Sequence, residues 1–522
     1  MLKKTLSLLF ALLMIMPIAS PAAVGEDAAP QKLTNSDGFV YTVNADGSAE
    51  IAGYTGQDQK LVIPESVDGH RVISIGKRAF TGARITEVTV AASVREIRDN
   101  AFEHCDKLTA VRLPEGVEII GEGIFWQCQK LKTVNLPDTL KEIGDEVFFD
   151  CKALTAVQLS AGHPLLELAD GVLFVRAAKR LIWYPNRKSN KSYAIPEGTA
   201  AIGRYAFGFV NSLTAVQIPD SVTEIAYSAF TECKKLQEIN IPAQVTELDG
   251  VFRSCNSLKQ IQVSPENPVF YSLDGVLFRK ESQQLVLYPA GRSEKKYVIP
   301  EGTLEIGTDS FSTASHLVEV EIPGTVRKIG SCAFDRCSKL KTVRISEGVE
   351  ELGLCAFEWC SALTEIRLPL SLVKMGPNPF VYCRKLSKVI VDEDHPALAV
   401  MDGALICKED MRLVWYPQTG KAKKYAVPQG VRSIDSYAFE ECKQLNEIEL
   451  PEGIETVGYR AFNSCKNIKR IILPATLKEI DNTAFQKEVT NFVMIPATYV
   501  VVKGSYAENF CQAYGLKIEY AP

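Results

Sequence analysis

The 522-residue sequence has only 5 histidines and 4 tryptophans, and its net charge is a modest −5. The histidines are scattered, and no cysteine pair has the short loop spacing of a zinc site, so no metal is expected. A mildly acidic chain lacks the basic patches that nucleic acids and anionic lipids select, so neither is an expected partner. There is also no nucleophile elbow and no glycine-rich phosphate loop. These absences argue against an enzyme, and no cofactor is expected.

Long apolar runs are missing after the N-terminus. Lys3 and Lys4 precede an apolar run over residues 6–16, and small residues follow up to Ala22 and Ala23. This is the pattern of a secretory signal peptide, and the run is too short to cross about 30 Å of hydrocarbon. We predict a signal peptide over residues 1–23 and no transmembrane or lipid anchor. The mature protein is then secreted, extracellular or loosely attached to the cell surface.

What the chain does contain is one repeated pattern, I/L-P-x-x-V-x-x-I-G-x-x-A-F-x-x-C-x-x-L-x-x-V. A period of 22 or 23 residues suits one strand plus one short helical or irregular return per coil. The alternation of Leu108, Val111 and Leu113 predicts a short, half-buried strand. The sequence therefore predicts an α/β repeat solenoid in which stacked strands form one parallel β-sheet around a column of phenylalanines. That column is Phe80, Phe102, Phe125, Phe148, Phe207, Phe230, Phe252, Phe311, Phe334, Phe357, Phe380, Phe439, Phe462 and Phe485.

Three times the spacing of this column jumps to 59 residues, as from Phe148 to Phe207. Each interval holds two apolar segments around a polar link, which predicts a β-hairpin insert. The predicted organisation is a linker and N-terminal β cap over residues 24–75 and a solenoid over residues 76–488. Hairpin inserts are expected near residues 163–196, 267–300 and 395–428, and a C-terminal cap over residues 489–522.

The motif A-F-x-x-C-x-x-L-x-x-V-x-L-P, present for example at Phe102, Cys105 and Leu108, resembles the bacterial BspA-type leucine-rich-repeat family. The end of the chain resembles the short helix-and-strand cap of that family, with Ser505 suited to begin the helix and Gly515 to end it. The resemblance covers nearly the whole mature chain. It implies a right-handed leucine-rich-repeat coil and a secreted or cell-surface protein that binds proteins or host surfaces.

The 14 cysteines of an exported chain raise the question of disulfides. Ten of them occupy the repeat position three residues after the column phenylalanine, where a small buried apolar residue is expected. Cys332 and Cys355 form a separate pair one repeat apart, within bridging range if the coils stack. For this pair a disulfide and two free thiols are both open.

The outward strand positions are the first candidate binding surface, because side chains alternate across a strand. They include Arg112, Asn135, Asn240, Arg344 and Arg367. A merely solvated face is the alternative interpretation.

Aromatic residues of the inserts are the second candidate. Trp183 and Trp415, with Tyr184, Tyr288 and Tyr416, recur just before a proline. Exposed rings would suit protein contacts or sugar stacking, whereas packing on the edge of the solenoid would give them a structural role. His163, Asn267 and His395 share one insert position, and a turn-forming role explains all three.

The combined features predict a bacterial, exported, non-catalytic binding protein, similar to an adhesin, whose partner is an extracellular or cell-surface protein. Two alternatives stay open. One is a carbohydrate-binding module that uses the insert aromatics, and the other is a structural spacer in the cell envelope.

Overall fold

The computed structural model describes residues 31–488 and 493–522 as a stack of short β-coils. The predicted signal peptide, the first part of the predicted linker and residues 489–492 of the predicted C-terminal cap lie outside the described residues. The buried hydrophobic residues form four main clusters, and neighbouring clusters meet within the inserts. We refer to the corresponding groups of coils as blocks one to four.

Most regular coils contribute two strands, one of three or four residues and one of two residues. Block one contains β1 (Leu33–Thr34), β2 (Phe39–Val43), β3 (Ala49–Tyr54), β4 (Lys60–Val62), β5 (Ser66–Val67), β6 (His70–Ile75), β7 (Glu87–Thr89), β8 (Glu96–Ile97), β9 (Ala110–Arg112), β10 (Ile119–Ile120), β11 (Thr133–Asn135), β12 (Glu142–Ile143) and β13 (Ala156–Gln158). Block two contains β14 (Leu166–Ala169), β15 (Val172–Val175), β16 (Arg180–Trp183), β17 (Ser192–Ala194), β18 (Ala201–Ile202), β19 (Ala215–Gln217), β20 (Glu224–Ile225), β21 (Glu238–Ile241) and β22 (Gln260–Val263).

The other two blocks follow the same alternation. Block three contains β23 (Phe270–Leu273), β24 (Val276–Arg279), β25 (Gln284–Leu287), β26 (Lys296–Val298), β27 (Glu305–Ile306), β28 (Glu319–Ile322), β29 (Lys328–Ile329), β30 (Thr342–Ile345), β31 (Glu351–Leu352), β32 (Glu365–Arg367), β33 (Lys374–Met375) and β34 (Lys388–Ile390). Block four contains β35 (Leu398–Met401), β36 (Ala404–Cys407), β37 (Arg412–Trp415), β38 (Lys424–Ala426), β39 (Ser433–Ile434), β40 (Glu447–Glu449), β41 (Thr456–Val457), β42 (Arg470–Ile472), β43 (Glu479–Ile480), β44 (Thr498–Val501), α1 (Tyr506–Ala513) and β45 (Lys517–Tyr520).

Two rows of parallel strands run along the stack. The longer strands pair in register, so that Val134 of β11 lies between Val111 of β9 and Val157 of β13. The two-residue strands do the same, as where Ile120 of β10 pairs with Ile97 of β8. The prediction of one parallel sheet was therefore wrong, because the V-x-x-I segment of each repeat is also extended. The outer surface of the longer strands is called the strand face below.

The returns between the two rows are turns rather than helices. The backbone around Phe102 has positive φ at Asn100 (57°) and His104 (56°). This geometry lets every second N–H donate to the next coil, as from Phe102 to the carbonyl oxygen of Ile124 at 2.9 Å. Within the described residues α1 is the only helix, so the predicted α/β class gives way to a β-solenoid. The side that carries these returns is called the turn face.

Each insert forms a small antiparallel sheet. In the first insert β14 pairs with β15, and β15 pairs with β16. The last strand, β16, then pairs in parallel with β18 and so joins the row of two-residue strands. The second and third inserts repeat this arrangement with β23 to β25 and β35 to β37.

The core is a column of stacked rings. Neighbouring column phenylalanines have centroids 4.7 to 6.0 Å apart within a block. Tyr184, Tyr288 and Tyr416 of the inserts extend the column, since each stacks on the next phenylalanine at 5.1, 4.8 and 5.1 Å. Because each ring packs only against its neighbours, the column couples adjacent coils and not distant ones.

The C-terminal cap contains α1 and β45. The Ser505 side chain accepts a hydrogen bond from the Glu508 N–H at 3.2 Å, and Gly515 follows the helix with φ of 62°. Both residues therefore have the capping roles predicted from the sequence. The strand β45 pairs with β44 and is the last strand in the row of longer strands.

Candidate interaction surfaces

The ten repeat cysteines are structural. Each donates its thiol to a backbone carbonyl oxygen of the preceding coil, as from Cys105 Sγ to Phe80 O at 3.1 Å. Burial raises the pKa of thiols such as Cys151 and Cys337 well above the usual value, so they stay protonated. The ten residues are Cys105, Cys128, Cys151, Cys233, Cys255, Cys337, Cys360, Cys383, Cys442 and Cys465.

Cys332 and Cys355 lie on the turn face, two residues before column phenylalanines of adjacent coils. Both are free thiols, and both have φ of 53°. Of the two outcomes left open by the sequence, the structure contains the free thiols. Burial raises the pKa of both groups.

His163, Asn267 and His395 close the turns that begin the inserts. His395 Nε2 lies 2.9 Å from Pro369 O, while its Nδ1 accepts two backbone N–H groups at 3.1 Å. His163 makes the same set of contacts, and the Asn267 amide reproduces them with Nδ2 as donor and Oδ1 as acceptor. One donor and one acceptor at fixed positions are what this turn requires, and either side chain provides them.

The insert aromatics are buried. Trp183 is 5% exposed and Trp415 is 3% exposed, and their rings lie edge-on against Phe148 and Phe380. The prediction that Trp183 and Trp415 contribute to an exposed binding surface is contradicted, because these side chains fill the boundary between two blocks. Their contacts with Phe148 and Phe380 agree with the alternative interpretation, in which the insert aromatics pack against the solenoid and have a structural role.

The asparagines of the strand face bind the protein's own backbone. Asn135 accepts from Leu113 N at 3.2 Å and donates to Leu113 O at 2.7 Å. Asn240 makes the same two bonds to Ile218, both at 2.7 Å. Their amides are therefore occupied in joining coils, which leaves them little capacity to bind a partner.

The arginines of the strand face are exposed. Arg344 lies 3.3 Å from Glu319, which also pairs with Lys296, and Arg367 lies 2.8 Å from Asp392. Surface ion pairs such as these contribute little to stability. Arg112 is exposed as well, and in the described part of the chain it has no ion-pair partner.

The turn face carries two aromatic groups that were not among the sequence candidates. The first patch consists of Trp126, Phe149, Lys152, Tyr205 and Phe209. The ring centroids of Trp126 and Phe149 are 4.1 Å apart, and those of Phe149 and Tyr205 are 4.4 Å apart. Trp126, Tyr205 and Phe209 are partly exposed. This patch brings together the coils on either side of the first insert, a place that we call the first joint.

The second patch lies where the turn face crosses the third insert, which we call the third joint. It consists of Trp359, Tyr382, Arg384, Tyr437 and Tyr459. Trp359 stacks on Tyr382 at 4.2 Å, and the Arg384 guanidinium lies 4.9 Å from the Trp359 ring centre. Tyr437 contacts Tyr459 at 5.3 Å. Trp359, Tyr437 and Tyr459 are partly exposed.

A signal for both patches exists in the sequence. Their rings occupy variable positions of the repeat, between three residues before and two residues after the column phenylalanine. A consensus pattern ignores such positions. Aromatics at variable positions on both sides of a 59-residue jump are the feature that would have identified them.

Three carboxyl groups lie beneath the second patch. Asp335, Glu358 and Glu440 each follow a column phenylalanine directly, and burial raises the pKa of each to about 7. Glu440 Oε1 accepts from the Tyr382 hydroxyl at 2.5 Å and from Asn463 Nδ2 at 2.8 Å. Glu440 Oε2 is buried without a hydrogen-bond partner. This arrangement suits a neutral carboxyl better than a charged one.

Between residues 31 and 522, apart from 489–492, the chain contains neither a cluster of metal-ligating side chains nor a helix that could cross a membrane. No group of three or more His, Cys, Asp or Glu side chains there could hold a metal ion. No helix in that part of the chain has the length and apolarity needed to cross a membrane.

The coils, the ring column and the paired strand rows define a repeat solenoid. The chain matches the family described as BspA type leucine-rich repeat region (6 copies) over residues 59–166, 184–281, 290–398 and 415–516. These segments make up more than half of the sequence, so the chain belongs to the BspA-type leucine-rich-repeat family. No curated protein matches it significantly.

Several solved structures of leucine-rich-repeat proteins match the chain. A leucine-rich cell surface protein from Faecalibacterium prausnitzii is 21% identical, with 95% of this chain and 99% of that chain covered and a TM-score of 0.36. A leucine-rich-repeat protein from Eubacterium ventriosum is 20% identical, with 63% and 95% covered and a TM-score of 0.45. The pneumococcal vaccine antigen PcpA is 17% identical, with 94% and 99% covered and a TM-score of 0.30.

Proposed function

We propose that the chain is an exported, non-catalytic binding protein that contacts an extracellular or cell-surface protein through the two aromatic patches of its turn face. The observation that carries the proposal is the composition of these patches. Tryptophan, tyrosine and arginine dominate the binding energy of protein interfaces, and each patch presents partly exposed rings beside a cation. Among the strand-face candidates, Asn135 and Asn240 are bonded to the backbone, Arg344 and Arg367 are in ion pairs, and Arg112 has no ion-pair partner in the described part of the chain.

The proposal is adhesin-like binding at the outside of a bacterial cell. The signal-peptide pattern at the N-terminus supports export. The buried, protonated thiols of the repeat support the absence of a cysteine nucleophile. Family membership supports a solenoid whose outer surface is its working part.

A screen against purified extracellular and matrix proteins, run beside a glycan array, tests the proposal. Trp126→Ala and Trp359→Ala should each weaken a saturable protein interaction by about 30-fold, the scale of a hot-spot residue. The matched control is Arg344→Glu with Arg367→Glu, which changes the strand face and should leave the affinity nearly unchanged.

The other outcomes exclude this proposal. Saturable binding to glycans alone would establish the carbohydrate-binding alternative. A loss of affinity in the strand-face control, with none in the tryptophan variants, would place the interface on the strand face. The absence of any saturable ligand would leave the structural spacer.

A further inference from the structure

The third joint is built around one carboxyl group. Glu440 is 1% exposed and bonds across the insert to Tyr382, 58 residues earlier in the chain. It also bonds to Asn463 on the next coil. One side chain thus connects the last coil of block three with the first two regular coils of block four.

We infer that the third joint is a proton-controlled binding surface, in which the protonated Glu440 carboxyl holds the second patch in shape and its ionisation loosens that patch. The inference rests on the proposed function of the patch. Its conformational part does not depend on the identity of a partner.

The hydrogen-bond inventory of the joint favours the neutral carboxyl. Glu440 Oε2 and Asn463 Oδ1 are both buried, and neither has a hydrogen-bond partner. A charged carboxylate there would keep the two donors on Oε1 but have none on Oε2, and a buried charge with one oxygen unsatisfied is unfavourable. A proton on Oε2 removes the charge.

Several charged or titratable groups face this carboxyl. Glu358, on the coil before the insert, and Glu441 disfavour its ionisation, while Arg460 favours it. Tyr437 and Cys355 also interact electrostatically with Glu440. Burial is the largest effect and exceeds the hydrogen bonds from Tyr382 and Asn463 and the attraction of Arg460, so the pKa of Glu440 is raised to about 7.

Glu440 is connected directly to the patch. Its partner Tyr382 supports the Trp359 ring at 4.2 Å, and Trp359 follows Glu358 in the sequence. Glu441, the next residue, binds Arg384 through two hydrogen bonds of 2.6 and 2.9 Å. A movement of the Glu440 turn therefore displaces a ring and a guanidinium of the patch.

The sign of the pH effect follows from the direction of the shift. The folded joint holds protons that the unfolded chain releases above the ordinary carboxyl range of about 4.3. The stabilisation is thus fully present below that range and is lost as the pH rises through about 7. The second patch should be ordered in mildly acidic surroundings and loosened above neutrality.

Hydrogen exchange of the intact protein, read by mass spectrometry and corrected for the intrinsic rate at each pH, tests the inference without a partner. Peptides over residues 378–386 and 435–443 should exchange about tenfold faster or more at pH 8 than at pH 5.5. Peptides over residues 236–245 of block two, where Glu238 is exposed and no carboxyl group is buried, should change less. In Glu440→Gln, which keeps the shape without the charge, the difference at the third joint should shrink.

An equal response of residues 236–245 and of the third joint in the wild-type protein would overturn the inference, and this comparison needs no variant. An unchanged response in a folded Glu440→Gln protein would overturn it as well. Failure of the proposed function gives a different result, because the pH response would persist while Trp359→Ala left partner binding unaffected.

Discussion

The first and third joints solve the same structural problem with different chemistry. At each, the turn face crosses an insert, and side chains from the two flanking coils must meet. The first joint is mainly aromatic, with Phe149 between Trp126 and Tyr205, and Arg204 adds an ion pair to the buried Glu146 at 2.7 Å. The third joint uses hydrogen bonds and charges, with Tyr382 bonded to Glu440 and Arg384 bonded to Glu441.

The two kinds of contact differ in how strongly their stability depends on pH and ionic strength. Apolar contacts are non-directional and change little with pH or salt, so the ring contacts of the first joint should behave as a fixed connection. Hydrogen-bonded carboxyl groups respond to protonation, and ion pairs respond to ionic strength. One repeat therefore supports a connection made mainly of rings at one place and a connection made mainly of hydrogen-bonded carboxyl groups at another.

Removal of the central ring of the first joint should have the largest effect. Phe149 is 8% exposed and contacts three other rings. Phe149→Ala should lower the free energy of unfolding by about 3 kcal/mol, because it removes buried apolar surface and leaves a cavity. Chemical denaturation at pH 5.5 and pH 8 should give the same loss. Phe149→Leu, which fills most of the space, is the control, and a loss that differed between the two pH values would contradict an apolar joint.

Removal of one hydroxyl at the third joint should have an intermediate effect. Tyr382→Phe keeps the stacking on Trp359 and deletes the bond to Glu440. The expected loss is about 1 to 2 kcal/mol, the scale of a buried hydrogen bond to a partner that is then left unsatisfied. Tyr205→Phe at the first joint is the matched control in the same denaturation series. A loss as large for Tyr205→Phe would show that the two joints do not differ in their dependence on hydroxyl groups.

The sequence predicted the solenoid because the repeat is a property of the whole chain. Burial imposes the same residue type at the same position of every coil. The phenylalanine column and the cysteine positions follow from this requirement, and their spacing gives the repeat period. The second strand row was missed because a two-residue strand such as Ile119–Ile120 shows no alternation long enough to recognise. Short helical and irregular returns both stayed open, because positive φ at a residue such as Asn100 is not apparent from residue type alone.

The candidate site was predicted less well, and for a related reason. Trp183 and Trp415 were the prominent aromatics of the inserts, yet the meeting of two blocks buries them. Trp126 and Trp359 stand at variable positions of the repeat, and their neighbours Tyr205 and Tyr437 lie across an insert. Which coils meet there depends on the path of the inserted strands, which the repeat period does not specify.

Removal of the Arg384 guanidinium should have a smaller effect, and one that depends on salt. Burial alone would raise the pKa of Glu441. Hydrogen bonds from Arg384 and Lys443 nevertheless hold this pKa below its usual value. Because half of the Arg384 side chain is exposed, Arg384→Gln should destabilise the fold by at most about 1 kcal/mol. Thermal unfolding at low and high ionic strength should show the difference shrinking as salt increases. Arg344→Gln on the strand face is the control, and a salt-independent loss would assign Arg384 a packing role instead.

The smallest effect is expected for a substitution in the turn that begins each insert, because this turn is alike in all three inserts. Asn267 makes with its amide the contacts that His395 makes with its imidazole, so the turn before each insert needs one donor and one acceptor rather than a ring. His395→Asn should therefore change the free energy of unfolding by less than about 1 kcal/mol. His395→Ala leaves buried N–H groups unsatisfied and should cost about 1 to 3 kcal/mol. Denaturation of the two variants side by side separates these outcomes. Equal losses would mean that the imidazole ring itself is required, and the three inserts would then differ in their first turn as well as in their joints.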